Sequence, residues 1–241
     1  QVLGVHDCSL SVAEGEILVL MGLSGSGKST LLRGVNALNP VVRGEVRVNN
    51  GDKMVSVTKA DPETLRKLRL SRIAMVFQQF GLLPWRTVRD NVGLGLELAG
   101  QSPEQRRAKV DQQLALVNLS QWADRKVGEL SGGMQKRVGL ARAIAAQPEI
   151  IFFDEPTTGL DPIMSGVINE LIREIVTEMG ATAMTITHDM SSVRAIADRV
   201  AMLHDGLIRW TGPVAEMDAA ADPYLQQFIH GRAEGPIESV R

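Results

Sequence analysis

The chain of 241 residues has 44% apolar residues and a formal net charge of −2, which fits one α/β domain with a subdomain and gives no sign of a nucleic-acid-binding surface. Its single cysteine, Cys8, excludes an internal disulfide and is typical of a reducing compartment. No apolar run approaches the ~18 residues of a membrane span, and the first residues lack the basic start and apolar stretch of a signal peptide. We therefore expect a soluble cytoplasmic protein with no membrane span of its own.

The first third of the chain alternates predicted strands with predicted helices. The predicted strands are residues 2–12, Ile17–Met21, 44–48, 54–57 and 73–77. A turn is expected at residues 14–16, and the polar run of residues 49–52 predicts a hairpin turn. Asp61 is a suitable N-cap for a helix through Leu70, because Pro62 then takes the first helical position.

Residues 22–30 read GLSGSGKST and fit the phosphate-loop pattern G-x-x-x-x-G-K-[ST]. Glycines let the backbone curl so that N–H groups and the following helix end can hold phosphate oxygens. Lys28 would place its charge on the β- and γ-phosphates, and Ser29 would offer its hydroxyl to Mg²⁺. A Gly/Ser linker is the alternative, but an apolar strand precedes this loop and Leu31, Leu32, Val35 and Leu38 follow at helical spacing. The residues expected at the nucleotide are Gly22, Ser24, Gly25, Gly27, Lys28, Ser29 and Thr30.

Residues 87–128 predict a polar helical segment, with a helix start at Ser102. The following motif, LSGGMQ, opens a helix that extends to about residue 146. The later predicted elements are a strand at 150–153, a helix in which Val167, Leu171, Ile175 and Met179 recur, a strand at 181–187, a hairpin of residues 200–203 and 207–210, and a helix over Pro223–Ile229. We predict an α/β core of residues 1–85 and 136–212, a helical subdomain of residues 86–135 and a C-terminal tail of residues 213–241.

Chemically active residue types end several of the predicted strands, and the carboxyl ends of parallel strands share one edge of a sheet. Asp154 follows an apolar strand, as a Mg²⁺ ligand does in the Walker B arrangement, and Glu155 could polarise a water for attack on the γ-phosphate. The alternative for this acidic pair is a cap on the next helix. His188 could contact the γ-phosphate, and Gln78 could sense Mg²⁺ or the attacking water; a plain polar loop start is the alternative for Gln78.

Ser131, Gly132 and Gly133 stand at a predicted helix start and predict a second anion site, for the same physical reason as the phosphate loop. One nucleotide does not need two such sites from one chain. A head-to-tail dimer resolves this, with each ATP between the phosphate loop of one copy and LSGG of the other. The alternative is a glycine-rich turn that only caps a helix.

Taken together, GLSGSGKST, Gln78, LSGGMQ, IIFFDE, the Gly-Leu-Asp that ends at Asp161, and His188 resemble the motifs of the ATP-binding cassette (ABC) ATPases, in the same order. The resemblance covers nearly the whole chain. It implies an α/β P-loop NTPase fold: an ABC-type nucleotide-binding domain with a mostly parallel core sheet, an antiparallel β subdomain and an inserted helical subdomain.

The resemblance also implies a role for each motif residue. Lys28 would bind phosphates, Ser29, Gln78 and Asp154 would hold Mg²⁺, and Glu155 would be the general base. The remaining implied roles are the signature motif acting in trans for Ser131, Gly132 and Gly133, the D-loop for Asp161 and the switch histidine for His188. The cofactors implied are ATP and Mg²⁺.

Family members dimerise around two ATP molecules and drive an integral-membrane permease, so the resemblance implies an ATP-hydrolysing transporter subunit. It implies a peripheral location at the cytoplasmic face of the bacterial inner membrane. Residues 2–135 resemble ATPases of choline and glycine-betaine importers, whereas residues 136–241 resemble Mla-type phospholipid-transport ATPases. The cargo is therefore predicted to be a phospholipid or a quaternary amine, and the switch near the signature motif suggests a chimera.

Two other classes of function and one departure from the family pattern complete these expectations. A soluble ABC ATPase that acts on nucleic acid or ribosomes usually carries coiled-coil or zinc insertions or a second cassette, and this chain has none of these. A catalytically inactive binding module is disfavoured by intact Glu155 and His188.

Family members stack adenine on an upstream aromatic, whereas the first aromatic here is Phe77. Either the N-terminus is truncated or adenine is held in another way.

Overall fold

The computed structural model describes residues 4–237, which form eight strands and nine α-helices. The strands are β1 (Ile17–Met21), β2 (Arg47–Asn49), β3 (Met54–Ser56), β4 (Ile73–Val76), β5 (Ile150–Asp154), β6 (Thr182–Ile186), β7 (Arg199–His204) and β8 (Leu207–Pro213). The helices are α1 (Lys28–Val35), α2 (Pro62–Ser71), α3 (Val88–Val92), α4 (Leu94–Leu98), α5 (Pro103–Leu116), α6 (Gly132–Ile144), α7 (Pro162–Met179), α8 (Met190–Ile196) and α9 (Pro223–Ile229).

Six strands form one sheet in the order β4-β5-β6-β1-β7-β8. All neighbours are parallel except β8, which runs antiparallel to β7. β2 and β3 form a separate antiparallel pair. The predicted mostly parallel core sheet with an antiparallel β element is confirmed. Since β1, β4, β5 and β6 are parallel, their carboxyl ends share one edge.

Helices cover both faces of the sheet, and the apolar core divides accordingly. On one side, residues of α3, α5, α6 and α7 pack with Ile151 and Phe153 of β5. On the other side, Leu32 of α1 and Leu68 of α2 pack with Leu18 and Leu20 of β1. A third cluster joins β7 to α8 and α9. β1 is wholly buried between these layers, which explains its unbroken apolar sequence.

The helix starts follow the predicted capping chemistry. The Asp61 carboxylate accepts a hydrogen bond from the Thr64 N–H at 2.8 Å, with Pro62 as the first residue of α2. Ser102 begins α5 with a capping box that includes Gln105. These caps satisfy N–H groups that have no partner inside the helix. None of the helices in the described part of the chain is both long enough and apolar enough to cross a membrane.

The structure corrects a few predicted elements. Residues 4–12 of the predicted first strand contain no strand, because Asp7 adopts a left-handed conformation with φ +51° that interrupts an extended chain. Residues 2–3 of that prediction, and 238–241 of the predicted tail, lie outside the described residues. Leu38 is not helical, since α1 ends at Val35 and Ala37 has a φ of +52°. Phe77 lies beyond the end of β4.

Candidate active site

The phosphate-loop sequence joins β1 to α1 through glycines whose backbone no other residue could adopt without strain. Gly22 has a φ of +144°, and a Cβ on it would lie 2.1 Å from the carbonyl oxygen of Leu203. Gly27 has a φ of +100°, and a Cβ there would lie 2.2 Å from the carbonyl oxygen of Gly4. α1 begins at the next residue, so its free N–H groups face the loop, as an anion site requires.

The Lys28 side chain closes this loop from inside. It is 7% exposed, and its ammonium donates to the carbonyl oxygens of Gly22 (2.9 Å) and Leu23 (2.7 Å). Burial lowers the pKa of Lys28, while the carboxylates of Glu155 and Asp154 oppose that change. A lysine held in this position supplies a fixed positive charge at the loop.

Ser26 carries a further hydroxyl of the loop, and the motif pattern did not predict it as a site residue. Ser26 Oγ is buried and has no hydrogen-bond partner among residues 4–237. Ser24 and Thr30, which were predicted at the nucleotide, are exposed, as is Gly25. An unpaired buried hydroxyl within a ring of glycines fits a ligand rich in acceptor oxygens, as a phosphate is.

Ser29 and Asp154, both predicted Mg²⁺ ligands, meet across the end of the sheet. Ser29 Oγ donates to Asp154 Oδ1 at 3.1 Å, and Arg33 Nη2 lies 3.2 Å from Asp154 Oδ2. Asp154 is 2% exposed. Hydroxyl and carboxylate oxygens are the ligand types that Mg²⁺ prefers, so this pair fits the ion. Arg33 was not predicted, although it follows Ser29 by four residues and so shares its helix face.

Glu155, Gln78 and His188, the three predicted catalytic residues, lie together beside that pair. Gln78 Nε2 donates to Glu155 Oε2 at 3.4 Å, and His188 Nδ1 lies 3.5 Å from Glu155 Oε1. Thr158 Oγ1 also donates to Glu155 Oε2, at 2.8 Å. Glu155 adopts a φ of +50°, a strained conformation for a residue other than glycine, and its N–H bonds to the carbonyl of Ile186.

The backbone after His188 is fixed by Asp189, which caps α8. Its carboxylate accepts hydrogen bonds from the hydroxyls and N–H groups of Ser191 and Ser192. Burial raises the pKa of Asp189, but these hydrogen bonds outweigh it and bring the pKa below its usual value. The His188 side chain itself is 61% exposed and open to a ligand.

Ser131, Gly132 and Gly133 begin α6, as predicted, but are not joined to the phosphate loop by any hydrogen bond within residues 4–237. Ser131 Oγ accepts from the Met134 N–H at 3.4 Å, and Ser131 and Gly132 are exposed. Asp161, also exposed, caps α7 through a 3.0 Å hydrogen bond from the Met164 N–H. The described part of the chain thus assembles two clusters, around Asp154 and around Glu155, and leaves Ser131, Gly132 and Asp161 on the surface.

The chain is similar to known proteins over most of its length. A family model described as "ABC transporter" matches residues 5–158. The glycine betaine/proline betaine transport system ATP-binding protein ProV of Escherichia coli (strain K12) is 41% identical over 230 residues, which are 95% of this chain and 56% of that protein. The methionine import ATP-binding protein MetN of Cupriavidus metallidurans is 43% identical over 217 residues, 90% of this chain and 62% of that protein. The chain therefore spans little more than half the length of these curated relatives.

Among solved structures, the dimeric structure of MJ0796, a bacterial ABC transporter cassette, is similar with a TM-score of 0.78 and 35% identity. The similarity covers 88% of this chain and 90% of that one. A post-hydrolysis structure of the same cassette, bound to ADP and Pi, matches equally well.

Proposed function

The chain belongs to the ABC transporter family and is an ATPase domain of that family, and we propose that it hydrolyses ATP to drive the import of a small quaternary amine such as choline or glycine betaine. The observation that carries the hydrolytic part is the set of contacts at Glu155. Its carboxylate lies beside Gln78, Thr158 and His188 and next to Asp154 in sequence. A base in this position can orient a water toward the last phosphate of a nucleotide held by the loop.

Each side chain of the site has a distinct part in the proposed reaction. The loop N–H groups, Ser26 and Lys28 would hold the phosphate oxygens. Glu155 would accept a proton from a water molecule while the oxygen of that water attacks the γ-phosphorus. The bond between the γ-phosphorus and the oxygen that leaves with ADP would break in the same step. His188 would hydrogen-bond the γ-phosphate. Ser29, Gln78 and Asp154 would hold Mg²⁺, which neutralises charge on the β- and γ-oxygens when bound.

The surface position of Ser131, Gly132 and Asp161 supports a dimer as the working form. The helix that begins at Gly132 is 13 residues long, so its exposed amino end offers N–H groups and a partial positive charge to an anion. We propose that this end, with Gly133 behind it, completes the ATP site of a second copy. The dimeric MJ0796 cassette is the parallel on which this proposal draws.

We propose that residues 78–128 receive the permease, with the chain bound peripherally at the cytoplasmic face of the inner membrane. Trp85 is 69% exposed and Leu98 is 63% exposed, and both lie in this segment. Large exposed apolar side chains of this kind are typical of protein interaction sites. The division into a core of residues 1–85 and 136–212, a helical subdomain of residues 86–135 and a tail of residues 213–241 remains part of this proposal.

The similarity to ProV supports an amine as the cargo. A phospholipid, the other cargo predicted from the sequence, is not supported by the names of ProV and MetN. The chimera remains a prediction, which separate alignments of residues 2–135 and 136–241 would test: the same nearest relative for both would contradict it. The soluble alternative, action on nucleic acid or ribosomes, gains no support from relatives that are named as transport proteins.

The substitution Glu155→Gln tests the hydrolytic proposal. The amide keeps the size of the side chain but cannot accept a proton, so we expect ATP binding to persist, hydrolysis to fall by at least about a hundredfold, and an ATP-dependent dimer to accumulate. ATPase assays, nucleotide titration and size-exclusion chromatography would measure these outcomes. Glu149→Gln is the matched control, because Glu149 pairs with Arg72 outside both site clusters. Undiminished hydrolysis in Glu155→Gln would exclude Glu155 as the base.

A further inference from the structure

Lys136 is a buried lysine of α6 that no part of the proposed reaction uses. It is 9% exposed, and its ammonium donates to the carbonyl oxygens of Pro156 (3.0 Å) and Thr158 (2.6 Å). The same ammonium lies 5.2 Å from the centre of the Phe80 ring, within cation–π range. The ammonium is therefore held by two hydrogen bonds and one aromatic ring.

These partners lead directly to the proposed general base. Pro156 and Thr158 belong to the loop that follows Glu155, and the Thr158 hydroxyl donates to the Glu155 carboxylate at 2.8 Å. Phe80 follows Gln78 by two residues, and Gln78 donates to the same carboxylate oxygen. One ammonium therefore holds the two chain segments from which Gln78 and Thr158 donate hydrogen bonds to Glu155.

α6 is joined closely to the Phe80 segment by two further contacts. A Cβ on Gly139 would lie 1.8 Å from the Phe80 ring, so the absence of a side chain lets that ring pack on the helix. Arg142 donates to the carbonyl oxygens of Phe80 and of Gly81. At the other end of α6, a Cβ on Gly133 would lie 2.6 Å from Met164 of α7. Helix α6 thus connects the exposed Ser131–Gly132 end to the surroundings of Glu155 as one packed unit.

We propose that Lys136 is a positioning residue for ATP hydrolysis: it holds the Thr158 hydroxyl against the Glu155 carboxylate and ties that contact to α6. This inference rests on the proposed function of Glu155. Its consequence is a physical connection between the exposed Ser131–Gly132 end of α6 and the Glu155 carboxylate. When the phosphate of an ATP held by a second copy binds at Ser131 and Gly132, it shifts or fixes α6. Lys136 transmits that change in the position of α6 to Glu155 of its own chain.

A double-mutant cycle tests the inference on the full 241-residue chain. Lys136→Met keeps the unbranched aliphatic shape of the side chain but removes the N–H donors of the ammonium. Thr158→Val removes the hydroxyl that donates to Glu155. We expect each variant to lower kcat by about 10- to 100-fold, the scale of a displacement near 1 Å at a reacting centre, with ATP affinity within about twofold of the unmodified chain. Because Lys136 acts through Thr158, the double variant should be no slower than Thr158→Val alone.

Lys67→Met is the matched control, since Lys67 is also a lysine within a helix, α2, but is exposed and pairs with Glu63 away from Glu155. Its kcat should be unchanged. Lys136→Gln keeps two N–H donors, should lose less activity than Lys136→Met, and provides the same cycle if the Met variant does not fold. Additive losses in the cycle, an unchanged kcat in both Lys136 variants, or an effect confined to thermal stability would each overturn the inference. Failure of the Glu155→Gln test would instead overturn the proposed function.

Discussion

Two glycines of the phosphate loop allow backbone strain and steric exclusion to be separated by experiment. Both Gly25 and Gly27 have positive φ values, +82° and +100°. A Cβ on Gly27 would meet the Gly4 carbonyl at 2.2 Å and the Val5 side chain at 2.8 Å, whereas a Cβ on Gly25 would have nothing within 4 Å. The two positions therefore share the conformational penalty, about 1–2 kcal/mol for alanine, and differ in the clash.

We predict that Gly27→Ala lowers both the thermal stability and the ATP affinity of the chain clearly more than Gly25→Ala does. The clash at Gly27 is with backbone, so the loop or the residue 4–5 segment must move to relieve it. Thermal unfolding and titration with a fluorescent nucleotide would measure the two effects. Equal losses in the two variants would show that only the positive φ matters at this loop.

The positions of single residues could be predicted from the sequence where a motif combines a strand end with a fixed residue type, as for Lys28, Asp154 and Glu155, while their chemical roles stay predictions. Partners one helical turn or one short loop away were missed although their spacing was visible: Arg33 follows Ser29 by four residues, and Thr158 follows Glu155 by three. Lys136 could not be predicted, because its carbonyl partners are distant in sequence and meet it only once α6 packs against their loop.

At the scale of elements, the amino ends of β1 and β7 are joined by a charged contact. Arg199 of β7 donates to both carboxylate oxygens of Glu16, at 2.6 and 3.1 Å, and the Ala13 N–H adds a third hydrogen bond. The hydrogen bond from Arg199 is the main cause that holds the pKa of Glu16 below its usual value of 4.5. Bidentate pairs of this kind fix geometry as well as adding free energy.

We predict that Glu16→Gln lowers the free energy of unfolding by about 1.5–3 kcal/mol near pH 7, the range of hydrogen bonds to charged groups. Since the pKa is lower in the folded state, this contribution is fully present above pH 4.5 and is lost as the pH falls through the folded-state pKa. Urea unfolding at several pH values should therefore show the two proteins converging in acid. Glu14→Gln, at an exposed neighbour, is the control; a constant difference down to low pH would contradict the prediction.

Strands and helices with a strong local sequence signal could be predicted. The predicted strand that the structure does not contain shows which information a local sequence pattern lacks. β1 and α9 match the predicted bounds, because one is an unbroken apolar run and the other has Asp222 as cap and proline at its first position. Alternation over residues 2–12 predicted a strand, but within the described residues 4–12 the left-handed Asp7 and a backbone hydrogen bond from His6 to Gly206 give a surface segment instead. Alternation alone does not report whether a neighbouring strand is free to pair.

At the scale of the whole molecule, the proposed permease surface carries exposed apolar side chains on a backbone that hydrogen bonds and ion pairs hold in place. The Trp85 carbonyl accepts a hydrogen bond from Lys126 at 2.7 Å, and Arg86 beside it pairs with Glu97 at 2.7 Å. Leu98 follows Glu97 and is 63% exposed. An aromatic anchor on a fixed backbone loses little conformational freedom on binding, which is typical of residues that dominate an interface.

We predict that Trp85→Ala weakens capture by the cognate permease at least about thirtyfold, since burying one large aromatic at an interface is worth about 2 kcal/mol or more. Hydrolysis by the isolated chain should stay unchanged, because Trp85 contacts neither site cluster. Val42→Ala is the control: Val42 is 61% exposed but lies outside residues 78–128.

Co-expression of the tagged chain with a betaine-type or a phospholipid-type permease, followed by copurification and ATPase assay, would measure capture. Capture by the betaine type alone would support the proposed cargo and assign partner choice to the first half of the chain. Capture by the phospholipid-type permease would assign partner choice to the second half of the chain and contradict the proposal that the cargo is an amine. Equal capture of the Trp85 variant would place the docking surface elsewhere.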